Sequence, residues 1–145
     1  MYHIVIPIDE NETRADAAAG FVTSLGEESG LGVDLGNVSV SVMNVFEEFK
    51  AIDEGGNVSS KDLYDEEKFP DSALTVRDHL VESGLSVDLA RRHGEPGEEV
   101  VEYADEIDAD HIVVPGRKRS PVGKVMFGSV TQDIVLNAEQ PVTIV

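Results

Sequence analysis

The sequence predicts one doubly wound α/β domain, a five-stranded parallel sheet with helices on both faces. Three observations carry the prediction. Short β-branched apolar runs recur five times along the chain. Between them, apolar residues repeat at the i, i+3, i+4, i+7 spacing of helices. The length, 145 residues, suits one domain with a real core. Strands that alternate with helices imply parallel pairing, right-handed crossovers and a sheet covered on both sides.

The first strand is His3 to Ile8, HIVIPI, apolar enough to be buried on both faces. Asn11 or Thr13 can cap the helix that follows. Ala18, Phe21, Val22 and Leu25 give that helix one apolar stripe, and Gly26, Gly30 and Gly32 end it. The second strand is Val38 to Phe46, where valines alternate with small polar residues. Glu47 to Lys68 is polar and reads as a long surface loop with at most a short helical turn. Ala73, Val76, Leu80 and Val81 mark a second helix closed by Gly84. Leu85 to Arg91 is the third strand. Pro96 then fits the first turn of a helix, where its missing N–H costs nothing, and Glu98 and Glu99 suit the positive end of the helix dipole. His111 to Pro115 is the fourth strand. Val130, Ile134, Val135 and Ala138 carry the last helix, and PVTIV ends the chain as a fifth strand.

Charge narrows the function classes. The chain has 29 acidic residues against 11 basic ones, a net charge of −18. The acid lies in short dispersed patches such as Glu27-Glu28 and Asp65-Glu66-Glu67, with no charged tail. This reads as a solvated skin suited to high salt and a salt-loving host, in preference to the rival, an acidic protein with a basic partner. No broad basic face exists to neutralise phosphates, so nucleic acid is not the expected partner. No apolar run approaches the roughly 18 residues of a membrane span. The start, MYHIVIPIDE, lacks a basic leader region and reads as cytoplasmic. Without cysteine there are no disulfides and no thiolate metal sites.

One segment breaks the acidic pattern. Arg117, Lys118, Arg119 and Lys124 fall within eight positions, among Gly116, Gly123 and Gly128. They follow the fourth strand. In doubly wound sheets ligands bind outside the carboxyl ends of the strands, where the strand order reverses. The first strand brings Pro7-Ile8-Asp9 to the same rim. Near Gly128-Ser129-Val130 a helix begins, and free N–H groups with a serine hydroxyl form an anion site. The bland alternative is a solvated loop whose cations offset neighbouring carboxylates. Neither a P-loop nor a GxGxxG fingerprint is present. Asp9 suits a ribose hydroxyl or a helix cap. His3 and His111 lack companions at metal-ligand spacing and read as edge residues. Arg91-Arg92-His93 sits where it could join the rim, but surface pairing with glutamates is the preferred reading. Ser120 and Ser129 have no nucleophilic triad around them.

These residues, taken along the whole chain, resemble the universal stress proteins. The resemblance rests on Pro7-x-Asp9, the Val45-Phe46-Glu47 step, Gly94-Glu95-Pro96, Gly116 with Gly128-Ser129, and the terminal Pro-Val-x-Ile-Val. It implies the strand order 3-2-1-4-5 and a homodimer, here through Val142 to Val145, an uncovered apolar edge. Joined to the acidic surface, it points to a halophilic archaeon. One branch of that family binds ATP through Gly-x2-Gly-x9-Gly-Ser/Thr. Carried over, Asp9 and Val45 would face the adenosine, Gly116, Gly128, Ser129 and Val130 would line the phosphates, and Pro7 joins the cofactor-binding set through Pro7-x-Asp9. Arg117, Arg119 and Lys124 would assist, and Mg could accompany ATP. The chain departs from that pattern twice: Arg119 replaces the second glycine, and only eight residues separate it from Gly128. The expected activity is ATP binding in a cytoplasmic stress protein, with at most weak hydrolysis. The rival is a dimeric interaction module that binds no nucleotide.

Overall fold

The computed structural model describes residues 1–28, 30–47, 50–53, 56–59, 63–119 and 122–145, and at 12, 50–53, 56–59, 117–119 and 125–126 the backbone alone. Nine strands and four helices run through these residues. They are β1 (Tyr2–Pro7), α1 (Glu12–Ser24), β2 (Val38–Glu47), β3 (Lys50–Asp53), β4 (Gly56–Ser59), α2 (Asp71–Glu82), β5 (Ser86–Gly94), α3 (Pro96–Glu106), β6 (His111–Val114), β7 (Arg117–Arg119), β8 (Val125–Phe127), α4 (Ser129–Asn137) and β9 (Val142–Ile144).

The main sheet has the order β5-β2-β1-β6-β9, and its four pairings are all parallel. Numbered within the sheet alone, this is 3-2-1-4-5, as expected. The register follows from the valine alternation. Ile4 and Ile6 on β1, with Val38, Val40 and Val42 on β2, meet Ala15, Ala18 and Val22 of α1 and Val76 and Leu80 of α2. The intervening Val5 and Met43 face the other way, onto Val100 and Ala104 of α3 and Ile134 of α4. Successive side chains of a strand point to opposite faces, so one run of sequence builds both halves of the core. The largest fully buried side chains include Ile4, Ile6, Leu80 and Ile112.

The caps match the chemistry of the termini. Asn11 accepts the Arg14 backbone N–H at the start of α1. Pro96 is the first residue of α3. The third sheet strand extends further than its apolar content suggests, to Gly94, because its backbone stays paired with β2 as far as Glu47. The charged residues there find their own partners. Arg92 is ion-paired with Glu106 and, at 3.7 Å, with Glu99, and its guanidinium lies 5.2 Å from the Tyr103 ring centre.

Two stretches expected as loops contain hairpins. Within the polar stretch after β2, β3 and β4 pair antiparallel, with Asp53 opposite Gly56. In the basic segment, β7 and β8 pair antiparallel, Arg117 with Phe127 and Arg119 with Val125. Backbone pairing by itself needs no apolar alternation, and neither KAID and GNVS nor RKR and VMF show the usual sequence signal. Ser120 and Pro121 lie outside the described residues. No helix among the described residues is long and apolar enough to cross a membrane.

Candidate functional site

The chain crosses from one side of β1 to the other when it leaves β5 for β6, so the strand order reverses between β2 and β6. A parallel sheet opens a crevice at that point, above the carboxyl ends of its strands. A cleft of about 750 Å3 lies there, within the roughly 300–1,000 Å3 of small-molecule sites.

Each wall has a separate origin. Pro7, Ile8 and Asp9 leave β1; Asn44, Val45 and Phe46 leave β2; Val114, Pro115 and Gly116 leave β6; Gly128, Ser129, Val130 and Thr131 open α4. Seven of the residues singled out in the sequence thus meet on one cavity: Pro7, Asp9, Val45, Gly116, Gly128, Ser129 and Val130. The cations of the basic segment divide differently. Lys124 is exposed on the β7–β8 turn and is not part of the lining. Arg117 and Arg119 are paired through their backbones in the hairpin, and their side chains lie outside the described residues.

The two glycines of the phosphate end differ physically. A Cβ on Gly116 would meet the Thr131 hydroxyl oxygen at 2.2 Å, so this glycine lets the end of β6 pack against α4. A Cβ on Gly128 would meet nothing within 4 Å. Gly128 is the N-cap of α4 with φ −71° and ψ 167°, and as a glycine it brings no side chain to cap the helix. The first N–H groups of a helix lack intrahelical acceptors and carry its positive end. Here they lie beside an exposed Ser129 at the cleft.

At the opposite end, side chains hold the floor. Asn44, buried, donates to the Ile8 carbonyl at 3.1 Å and accepts from Arg91 Nε at 3.1 Å. Arg91 also donates to the carbonyls of Asp65 and Lys68. Its guanidinium sits 5.1 Å from the Phe46 ring centre and 5.8 Å from that of Tyr64. The Tyr64 hydroxyl donates to the Arg91 carbonyl at 2.7 Å. Burial, reinforced by Glu66, raises the Tyr64 hydroxyl above its ordinary range, so it remains a donor. Asn44 was not expected at the site, Phe46 entered only as part of the Val45-Phe46-Glu47 step, and Arg91, read as surface-paired in preference to the rim, lines the cleft. A polar residue inside VMNVF was the available signal for Asn44. Arg91 and Arg92 look alike in sequence, yet among the described residues only Arg92 is ion-paired with glutamates.

Asp9 is neither a free acceptor nor the helix cap. One carboxylate oxygen accepts the Asn11 backbone N–H at 2.8 Å; the other meets Arg14 Nη2 at 2.7 Å. The Asp9 carbonyl accepts the Ser72 hydroxyl at 2.6 Å, tying the rim to α2. Arg14 lines the cleft as well. Its Nε is buried and has no hydrogen-bond partner among the described residues. Such an orphan donor typically costs about 1–3 kcal/mol. Among the described residues, no three of His, Cys, Asp and Glu come together as a metal site.

Comparison with known proteins places this geometry. A family model described as the universal stress protein family matches residues 1–145. A universal stress protein of Mycolicibacterium smegmatis is 34% identical over 89 residues, 59% of this chain and 68% of that protein. The structure of a universal stress protein from Archaeoglobus fulgidus superposes with a TM-score of 0.71 at 25% identity, covering 99% of this chain and 98% of the other. A structure of the Archaeoglobus fulgidus universal stress protein in complex with dAMP gives a TM-score of 0.64 at 20% identity, over 99% and 97% of the two chains.

Proposed function

The chain belongs to the universal stress protein family, and from that premise we propose that its rim cleft binds an adenine nucleotide. The observation that carries this reading is convergence. A bare helix N-terminus at Gly128-Ser129 shares one cavity with Asp9 and Val45, which come from other strands. Phosphate suits the first; a ribose hydroxyl and a base suit the second and third. Gly128 supports it further, since among the described residues nothing lies within 4 Å of a Cβ placed there. The relative described with dAMP supports an adenine nucleotide as the ligand class.

Within this reading Pro7, Asp9 and Val45 face the adenosine. Gly116 shapes the phosphate end by letting α4 close on β6, and Gly128, Ser129 and Val130 contact phosphate. ATP is the fuller ligand, with Mg as its counter-ion. Arg117 and Arg119 on the β7–β8 hairpin, with Lys124 at its turn, meet the outer phosphates. Binding is the activity, in a cytoplasmic stress response, with turnover at most slow. A homodimer forms through the outer edge of β9, and the acidic surface adapts the protein to a halophilic archaeal cytoplasm.

Calorimetry with AMP and ATP, with and without Mg, in molar KCl tests the ligand. The expected result is saturable heat for both nucleotides, abolished by Gly128→Asp. Absence of heat and of thermal shift at millimolar nucleotide would leave the interaction module as the function.

A further inference from the structure

Arg14 is poorly explained by the helix it occupies. It is the third residue of α1, whose N-cap is Asn11. That position favours Glu or Gln, which can reach back to the cap, and a cation there opposes the positive end of the helix dipole. Arg14 nonetheless extends into the cleft, its side chain about a quarter exposed (28%). Only Asp9 holds it by a side-chain contact among the described residues, and its Nε–H is left buried without an acceptor. The cleft wall therefore carries a guanidinium with unused donor capacity, in a chain with 11 basic residues against 29 acidic ones.

We propose that Arg14 is a ligand-binding and specificity-determining residue: it exchanges Asp9 for a phosphate oxygen when a nucleotide enters, and thereby frees Asp9 for the ribose. The inference rests on the nucleotide reading of the cleft and adds a residue to it. Three features favour the exchange. The Asp9–Arg14 pair lies on the cleft wall, and the Asp9 side chain is 61% exposed, so a ligand can compete for either partner. An ion pair this open contributes little and is easily given up. A guanidinium binds phosphate by paired, planar hydrogen bonds that are stronger than neutral ones. Once Arg14 turns from Asp9, the carboxylate becomes an acceptor for ribose hydroxyls, and the Asn11 N–H keeps it oriented. Nucleoside and nucleotide are thereby separated. A nucleoside must compete with Arg14 for Asp9, and a nucleotide gives Arg14 a better partner.

The test is calorimetric titration of the wild-type chain, Arg14→Gln and Arg14→Lys with adenosine and AMP in the same buffer, with melting curves to verify folding. The inference expects Arg14→Gln to weaken AMP about tenfold or more. Adenosine should bind unchanged or tighter. Arg14→Lys should recover part of the AMP affinity, since it restores charge without the planar fork. Wild-type binding of AMP with an AMP-to-adenosine ratio unmoved by Arg14→Gln would overturn the inference and leave the nucleotide site standing. Equal weakening of both ligands would also overturn it, since that marks Arg14 as a structural prop. A wild-type chain that binds neither ligand would remove the nucleotide reading and the inference together. If Arg14→Gln unfolds, Asp9→Asn is the second variant. It releases Arg14 from its ion pair, and the inference expects adenosine to lose affinity while AMP loses less; equal loss would refute it.

Discussion

Gly116 and Gly128 show how far two identical letters can differ. Gly116 is needed by the fold: its α-hydrogen faces the Thr131 hydroxyl across a gap that no methyl fits. Gly116→Ala should therefore destabilise the protein by about 1–3 kcal/mol, the range for overpacking a close contact. Gly128 is not constrained from inside. Gly128→Ala should leave stability within about 0.5 kcal/mol yet weaken AMP by about tenfold, 1.4 kcal/mol, because the added methyl stands where phosphate approaches. Denaturant melts and titrations on the two variants check the split; equal behaviour would contradict it. Asn11→Ala should cost about 1 kcal/mol through loss of the cap on α1. At this scale the sequence was partly legible. Gly116 after a strand, Gly128-Ser129 at a helix start and Asp9 at a strand end could be placed on the rim by type and position, and all four line the cleft. What it hid was pairing. Nothing in PIDENETR says that Arg14 would reach back to Asp9, because that contact depends on how α1 leaves the strand.

The elements of the main sheet were legible because each buries a patterned face. Val38, Val40 and Val42 could only point to one side, and the structure puts all three in the core. The two hairpins were not legible, since what defines them is antiparallel backbone pairing, which leaves no apolar period in the sequence. The closing of the sheet also has a titratable element. His111 on β6 contacts the Thr143 hydroxyl of β9 through Nε2 at 2.7 Å, and the Tyr2 hydroxyl of β1 through Nδ1 at 3.3 Å. Burial holds its pKa below the ordinary histidine value of about 6.5. A histidine whose folded-state pKa is depressed takes up protons more readily when unfolded. Stability should therefore be complete above about pH 6.5 and fall as the pH drops toward the folded-state value. His111→Asn should remove that part of the fall, seen as a flatter melting-temperature profile between about pH 5 and 7, where carboxylates remain ionised. An unchanged profile would exclude His111 as its source.

At the scale of the whole molecule, net charge and sheet edges govern behaviour. A charge of −18 on 145 residues repels itself in dilute buffer, and at 1 M salt the screening length falls to about 3 Å. The melting temperature should rise between 0.1 M and 2 M KCl; a flat response would argue against adaptation to salt. The outer edge of β9 has no partner strand among the described residues, and Val135 and Leu136 nearby are exposed. Sedimentation should give a dimer that Val142→Lys with Ile144→Lys reduces to monomer, with the rim cleft unaffected. Composition announced the charge, and alternation announced the sheet. The meeting of Asp9, Val45 and Gly128 depends on strand order, which local periodicity does not encode. The most direct measurement is an amide chemical-shift titration with AMP. Saturable shifts should concentrate at Val45, Gly116, Gly128, Ser129 and Val130. Shifts confined to the β7–β8 hairpin, or none at saturating AMP, would contradict a nucleotide site in the rim cleft.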